Sequence, residues 1–192
     1  MKNEKPYRLM IDPGHGGKAL GAVNKELGIR EKDINLNVAE NLRRIVFTGD
    51  YLYETWSTRR DDTFVSLKER CNKANSYKAQ AFLSIHCNAR PRVGKYGLEI
   101  EVFHALGSKK GKEYAAIALD YLADSSKKII EVIRRRVMKR NFYVLKNTSM
   151  PAILVELGFL PDKEEALFLN NKINQKIMAR ALAEATEHFL EG

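Results

Sequence analysis

Four residues of this chain carry chemistry that could converge: His15, Glu31, His86 and Glu156. His15 stands in the turn Asp12-Pro13-Gly14-His15-Gly16-Gly17, directly after the apolar run Leu9-Met10-Ile11. Proline fixes its own φ and glycine tolerates almost any, so the run ends there and leaves an imidazole with small neighbours. Such a group can face a metal or a substrate, although the glycine-rich turn alone could equally cradle a phosphate. The pattern recurs twice. Ala81 to Ile85 is a second apolar run and ends in His86; Ile153-Leu154-Val155 is a third and ends in Glu156. A buried ionisable group without a partner is costly, and in open α/β sheets the carboxyl ends of strands are where sites are built. One shared polar site explains three such endings better than three accidents. Two imidazoles with the Glu31 carboxylate match a catalytic zinc centre, one ion per chain, with a position open to water. Glu156 is then a general base outside the ligand set.

The elements that must position these residues alternate between strand and helix patterns. Glu31 precedes a helical pattern of Ile34, Val38, Leu42 and Ile45, with Asp33 as a plausible N-cap. Residues 51–58 read as a second strand, and Phe64, Leu67, Cys71 and Ala74 recur at helical spacing before the strand that ends in His86. Residues 88–95 read as a loop punctuated by Pro91 and Gly94, and 97–104 as a strand. After a basic loop at 107–111, a helix is expected from Tyr114 to Leu122, a second, basic helix over 129–136, and a short strand over 142–145. The buried strand ending in Glu156 follows, and Pro161-Asp162 opens a helical tail. The alternation predicts a single α/β domain over 1–192, with a mostly parallel twisted sheet flanked by helices on both faces.

Length and composition agree. The chain has 192 residues, 44% hydrophobic and 30% charged, enough for one soluble domain with a proper core. No apolar run approaches the roughly 18 residues of a membrane span, and Met1 to Pro6 enters the first strand without a signal region. Cys71 and Cys87 make no disulfide framework. Cys87 follows His86 on a strand, so its thiol points to the opposite face and is a poor co-ligand. The net charge of +9 predicts attraction to something anionic. Its densest run sets Lys127, Lys128, Arg134, Arg135, Arg136, Lys139 and Arg140 against the single acid Glu131. That run is either a solvated helix face or a docking patch; no nucleic-acid motif accompanies it.

Taken together, the motifs IDPGHGG (11–17), Glu31, TRRDDTFVSLKER (58–70), SIHCNA (84–89), GLEIEVF (97–103) and MPAILVELGFL (150–160) resemble the zinc-dependent N-acetylmuramoyl-L-alanine amidases of the amidase-3 type, over roughly Arg8 to Leu190. The resemblance implies zinc ligands at His15, Glu31 and His86 and a catalytic glutamate at Glu156. It implies hydrolysis of the amide between N-acetylmuramic acid and L-alanine of the peptidoglycan stem peptide, with peptidoglycan as partner rather than nucleic acid or membrane. Cys87 departs from the small residue usual there. Regulated members carry an extra helical segment that blocks the zinc, and 105–111 is too short to hold one. Without a signal region, the expectation is a protein made in the cytoplasm that meets the wall after release, as a phage or prophage lysin does. Asn88 is a candidate substrate contact. His104 reads as an exposed strand-end histidine and His188 as structural or solvated. The oligomeric state is left open. Two rival readings are a non-haem iron enzyme with the same 2-His-1-carboxylate set and a basic wall-binding or nucleic-acid-binding module without turnover. The close His-x-Asp/Glu pair of the first is missing, and a pure binder has no need for Glu156.

Overall fold

The computed structural model describes residues 6–90 and 97–192. A six-stranded sheet is built from β1 (Tyr7–Pro13), β4 (Tyr53–Ser57), β5 (Ala81–Asn88), β6 (Leu98–His104), β7 (Val132–Lys139) and β8 (Ala152–Phe159), in the order β4-β1-β5-β8-β6-β7. β4, β1, β5 and β8 run parallel; β6 is antiparallel to β8, and β7 is parallel to β6. The expected mostly parallel α/β sheet is therefore present, with its last two strands reversed. That reversal places the beginning of β6 beside the carboxyl ends of β1, β5 and β8. A two-stranded hairpin, β2 (Val23–Asn24) with β3 (Ile29–Arg30), lies within the long segment after β1.

Side chains alternate along each strand, and the sequence uses this to make two cores. Leu83, Ile85 and Cys87 of β5, with Ile153, Val155 and Leu157 of β8, enter the larger core. That core is covered by α1 (Glu31–Thr48), α3 (Lys109–Ser126) and α6 (Lys172–Glu191), while α5 (Lys163–Asn170) packs on β8. Phe82 and Leu154 point the other way, into a smaller core closed by α2 (Leu67–Tyr77) and α4 (Tyr143–Lys146). The same alternation sends Ser84, His86 and Glu156 to the smaller-core face, where the cover of α2 and α4 ends and an opening forms. No helix among the described residues is long and apolar enough to cross a membrane.

Four local expectations are corrected. Glu31 is the first residue of α1 rather than its predecessor, and Arg30, not Asp33, occupies the cap position. The first helix donors are satisfied instead by the preceding chain: Glu31 N donates to Ala22 O (2.9 Å) and Lys32 N to Leu20 O (3.2 Å). The supposed loop at 107–111 already contains the start of α3, capped by Ser108. The supposed basic helix over 129–136 is mostly edge strand β7, whose β-branched Val132, Ile133 and Val137 suit a ladder. Charged residues on an edge strand also discourage pairing with other sheets. The supposed strand over 142–145 is the short helix α4. The loop expected over 88–95 falls, beyond Arg90, outside the described residues, as does most of the amino-terminal stretch.

Candidate metal centre and its cleft

The structure brings three of the four singled-out residues into one cluster. One ligand atom each from His15, Glu31 and His86 lies within 4.8 Å of the others. Glu31 Oε1 is 3.1 Å from His15 Nε2 and 2.9 Å from His86 Nδ1, so both rings turn a nitrogen toward the same carboxylate. Glu156 pairs with His86 across the β5–β8 ladder and so stands beside the cluster on the same face. A cleft of about 360 Å³ opens over them, lined by His15, His86 and Glu156 and walled by Phe64, Leu67, Phe142 and Tyr143.

Glu31 and the turn that carries His15 are held from behind. Glu31 Oε2 accepts from Ala22 N (2.6 Å), while Oε1 accepts from Cys87 N (3.1 Å) and Asn35 Nδ2 (3.3 Å). Burial pushes the Glu31 carboxyl up, but the two histidines outweigh it and hold the group well below the usual carboxylate range. Burial lowers His86, while Glu31, and after it Glu156 and Asp12, raise it, and the net shift is upward. His15 sits at φ 61°, a left-handed conformation that a residue with a Cβ adopts only when its surroundings impose it. Here two arginines impose it. Arg59 donates to Pro13 O (3.0 Å) and Gly14 O (2.9 Å), and Arg70 donates to Pro13 O and His15 O (both 2.7 Å). Arg70 also bonds Asp12 Oδ1 at 2.7 Å, and Thr58 and Ser84 hydroxyls fill the remaining capacity of that buried carboxylate. The turn also needs its glycines. A Cβ on Gly14 would lie 2.2 Å from His86 Cε1, and one on Gly21 2.3 Å from Glu31 Oε2.

Asp12, Arg59 and Arg70 were not singled out from the sequence. A signal existed: Arg70 shares the buried stripe of α2 with Cys71 and Ala74, and a charge on a buried stripe must be paired. Glu156 is the opposite case. Its Oε2 is buried with no hydrogen-bond partner, and burial pushes its carboxyl up to about 7, aided by Glu31 and Glu101 and opposed by His86. A carboxyl poised near neutrality beside a donor cluster is suited to moving protons.

Other candidates fare differently. Asn88 is engaged with the protein: Nδ2 donates to Glu101 Oε2 (3.1 Å) and Oδ1 accepts from Arg90 N (3.2 Å). Cys87 is buried on the opposite face, its thiol 3.7 Å from Asn35 Oδ1, and is no part of the cluster. His104 is buried, not exposed, and its Nδ1 lies 2.9 Å from Ala105 O. Because β6 runs antiparallel to β8, His104 falls at the sheet edge away from the cleft. His188 packs edge-on to Tyr121.

The fold and the cluster together define an α/β domain with a two-histidine, one-carboxylate cluster, able to hold a cation, at the carboxyl edge of a parallel sheet. Comparison with known proteins makes this specific. Residues 9–188 match the Amidase_3 family, described as N-acetylmuramoyl-L-alanine amidase, and the chain belongs to that family. It is 33% identical over 176 residues to N-acetylmuramoyl-L-alanine amidase CwlM of Bacillus licheniformis, covering 92% of this chain and 66% of that protein. It is 35% identical to the endolysin of Bacillus phage SPP1, covering 95% of this chain and 65% of that protein. Against LytC of Bacillus subtilis the chain spans 35% of the relative's length, so it corresponds to a part of these curated relatives. A crystal structure of N-acetylmuramoyl-L-alanine amidase from Clostridium difficile 630 superposes with a TM-score of 0.89 at 30% identity, covering 98% of this chain and 99% of that one.

Proposed function

We propose that this chain, as a catalytic domain spanning residues 1–192, hydrolyses the amide joining the lactyl group of N-acetylmuramic acid to L-alanine in peptidoglycan, using one zinc ion. The observation that carries the reading is the His15–Glu31–His86 cluster with Glu156 paired beside His86. The donor set fits zinc: two imidazole nitrogens and a carboxylate oxygen converge, with both Glu31 oxygens oriented by backbone donors. His15 Nε2, Glu31 and His86 Nδ1 would hold the ion. Bound there, zinc would polarise the scissile carbonyl and lower the pKa of an attacking water.

The protein's own part follows from the cleft. Its apolar walls hold the substrate and limit water, and Glu156 lines the floor with an unengaged oxygen. Glu156 accepts the proton as the water oxygen bonds to the carbonyl carbon, then returns it to the nitrogen as the C–N bond breaks. The products are a free lactyl carboxylate on the sugar and a free L-alanine amine. The family, the phage endolysin relative and a sporulation-specific amidase of Bacillus subtilis among the relatives support action on the cell wall. The basic charge of the chain suits that anionic polymer. Mass spectrometry of digested peptidoglycan tests the reading: new L-alanine amino termini should appear with glycan strands intact. New reducing sugar ends, or no new termini with zinc-loaded protein, would overturn it.

A further inference from the structure

Away from the cleft, edge strand β4 carries Trp56, the single tryptophan of the chain. Although large and apolar, it is 55% exposed. Its ring lies against Tyr77 of α2, with centroids 4.4 Å apart at a 38° tilt. Tyr77 is itself fixed, donating its hydroxyl to Glu54 Oε1 (2.7 Å) under the Arg8 guanidinium. A groove of about 630 Å³ runs past this pair and brings in Arg43, Arg60, Lys73 and Ser57. Arg43 is paired with Glu40, and Lys73 Nζ donates to Thr58 O (2.6 Å). Arg60 has no partner among the described residues, and the buried Ser57 hydroxyl has none either.

A rigidly backed, exposed indole beside cations and hydroxyls suits a sugar ring that carries negative charge: the apolar face of the ring stacks, and the charge is met at the side. The proposed reaction generates such a polymer. Each hydrolysis replaces a neutral amide on muramic acid with a free lactyl carboxylate, so a processed strand becomes a regularly charged glycan. We propose that the Trp56 groove binds this denuded glycan strand, the product of the reaction proposed above and dependent on that reading for its biological sense. Trp56 pairs with Met10 and faces the same side of the sheet as His86 and Glu156. Strand spacing and rise put the Trp56 backbone about 16 Å from that of His86. The turn between β4 and α2 carries Arg60 into the groove and Phe64 onto the cleft wall. A strand gripped by its cut portion would keep uncut stems near the cleft.

Because Trp56 is the sole tryptophan, its emission reports the groove directly. Zinc-loaded protein is titrated with alternating N-acetylglucosamine–N-acetylmuramic acid oligosaccharides bearing free lactyl carboxylates, and with neutral chito-oligosaccharides of equal length. The expected result is a saturable change in emission with the charged oligosaccharide bound about tenfold tighter, a preference that Arg60→Gln with Lys73→Gln or high salt removes. By calorimetry, Trp56→Phe should retain binding, while Trp56→Ala weakens it about tenfold. No saturable change, equal affinity for charged and neutral ligands, or indifference to the Arg60 and Lys73 changes would overturn the inference. These charged positions are surface ones, so the test survives if Trp56→Ala fails to fold. Neither ligand has a lactyl–alanine amide to cleave, so binding is read independently of hydrolysis. Wild-type protein that fails to hydrolyse muropeptides would count against the proposed function and leave the binding result standing.

Discussion

Replacing Glu156 with glutamine should make the metal-free protein more stable and the enzyme nearly inactive. The carboxyl is buried with one oxygen unengaged, and its pKa rises from an ordinary 4.5 to about 7, with burial as the main cause. At pH below 4.5 both folded and unfolded chains carry the proton, and the group costs nothing. Between 4.5 and about 7 the unfolded chain ionises while the folded one keeps its proton, so stability falls by about 1.4 kcal/mol per pH unit. Above about 7 the whole penalty, about 3 kcal/mol, is present. Glutamine keeps the shape and cannot ionise. For a chain of 192 residues the unfolding entropy is about 0.4 kcal/mol/K, so the gain corresponds to about 7 °C in Tm. The assay is thermal melting of chelator-treated protein at pH values from about 4 to about 8. The variant should match wild type at the acid end and exceed it at the alkaline end. Zinc loading should shrink the gap, because a nearby dication favours the carboxylate. Muropeptide hydrolysis should meanwhile fall by about 10² to 10⁴ with zinc content unchanged. A variant no more stable than wild type at pH 8 would refute the burial argument. One that kept its activity would remove Glu156 as the base, and one that lost its zinc would make it a ligand.

The remaining predictions concern the supports of the cluster and the charge of the surface. His86→Ala should lower zinc affinity by orders of magnitude, read as metal content after dialysis, since the site has no spare donor; stoichiometric zinc in the variant would reassign that ligand. Gly14→Ala should also lose zinc while keeping its far-ultraviolet spectrum, because the added Cβ would overlap the His86 ring; normal zinc would mean that the turn yields instead. Arg70→Met leaves Asp12 charged and unpaired in a buried setting and should cost about 3–5 kcal/mol in denaturant unfolding. A loss below 1 kcal/mol would show that the Thr58 and Ser84 hydroxyls suffice. Sedimentation with purified walls should weaken as salt rises, because surface attraction is screened beyond about 8 Å at physiological ionic strength; salt-independent sedimentation would exclude net charge as its cause.

The cluster was legible from sequence because strand ends leave a mark: an apolar run that stops on His86 or Glu156 shows both the element and the edge where its side chain emerges. What supports the cluster left a fainter one. Arg59 and Arg70 act on the carbonyls of Pro13, Gly14 and His15 from segments some 45 to 57 residues away, and no periodicity encodes a side chain reaching a distant backbone. The run over 129–136 failed for a different reason. Its charges recur in a way that fits a helix face, and only the exposed edge of β6 as a partner makes strand the better use of Val132, Ile133 and Val137. That correction also divides the basic run. Arg136 is committed to Glu101 at 2.7 Å, so it belongs to the surroundings of the site rather than to a free docking face.

The reversed strand has a chemical consequence. In the antiparallel β6–β8 ladder Glu101 stands opposite Glu156, which places a second buried carboxylate beside the proposed base. Its proximity is one of the lesser causes, after burial, that raise the base's pKa. Arg90 and Arg136 close on Glu101 Oε1 at 2.8 and 2.7 Å, and Asn88 holds Oε2. Glu101 is thus supplied with cations and donors, whereas Glu156 Oε2 has no hydrogen-bond partner and only His86 opposes its rise. Of two glutamates sharing one face of the sheet, one is engaged by two arginines and an amide, and the other is pushed up to about 7 chiefly by burial. Asn88, through its hydrogen bond to Glu101, contributes to that difference. The arrangement explains why burial, ahead of like-charge repulsion, dominates the Glu156 shift, and why the residue best placed to exchange a proton is the one without a partner.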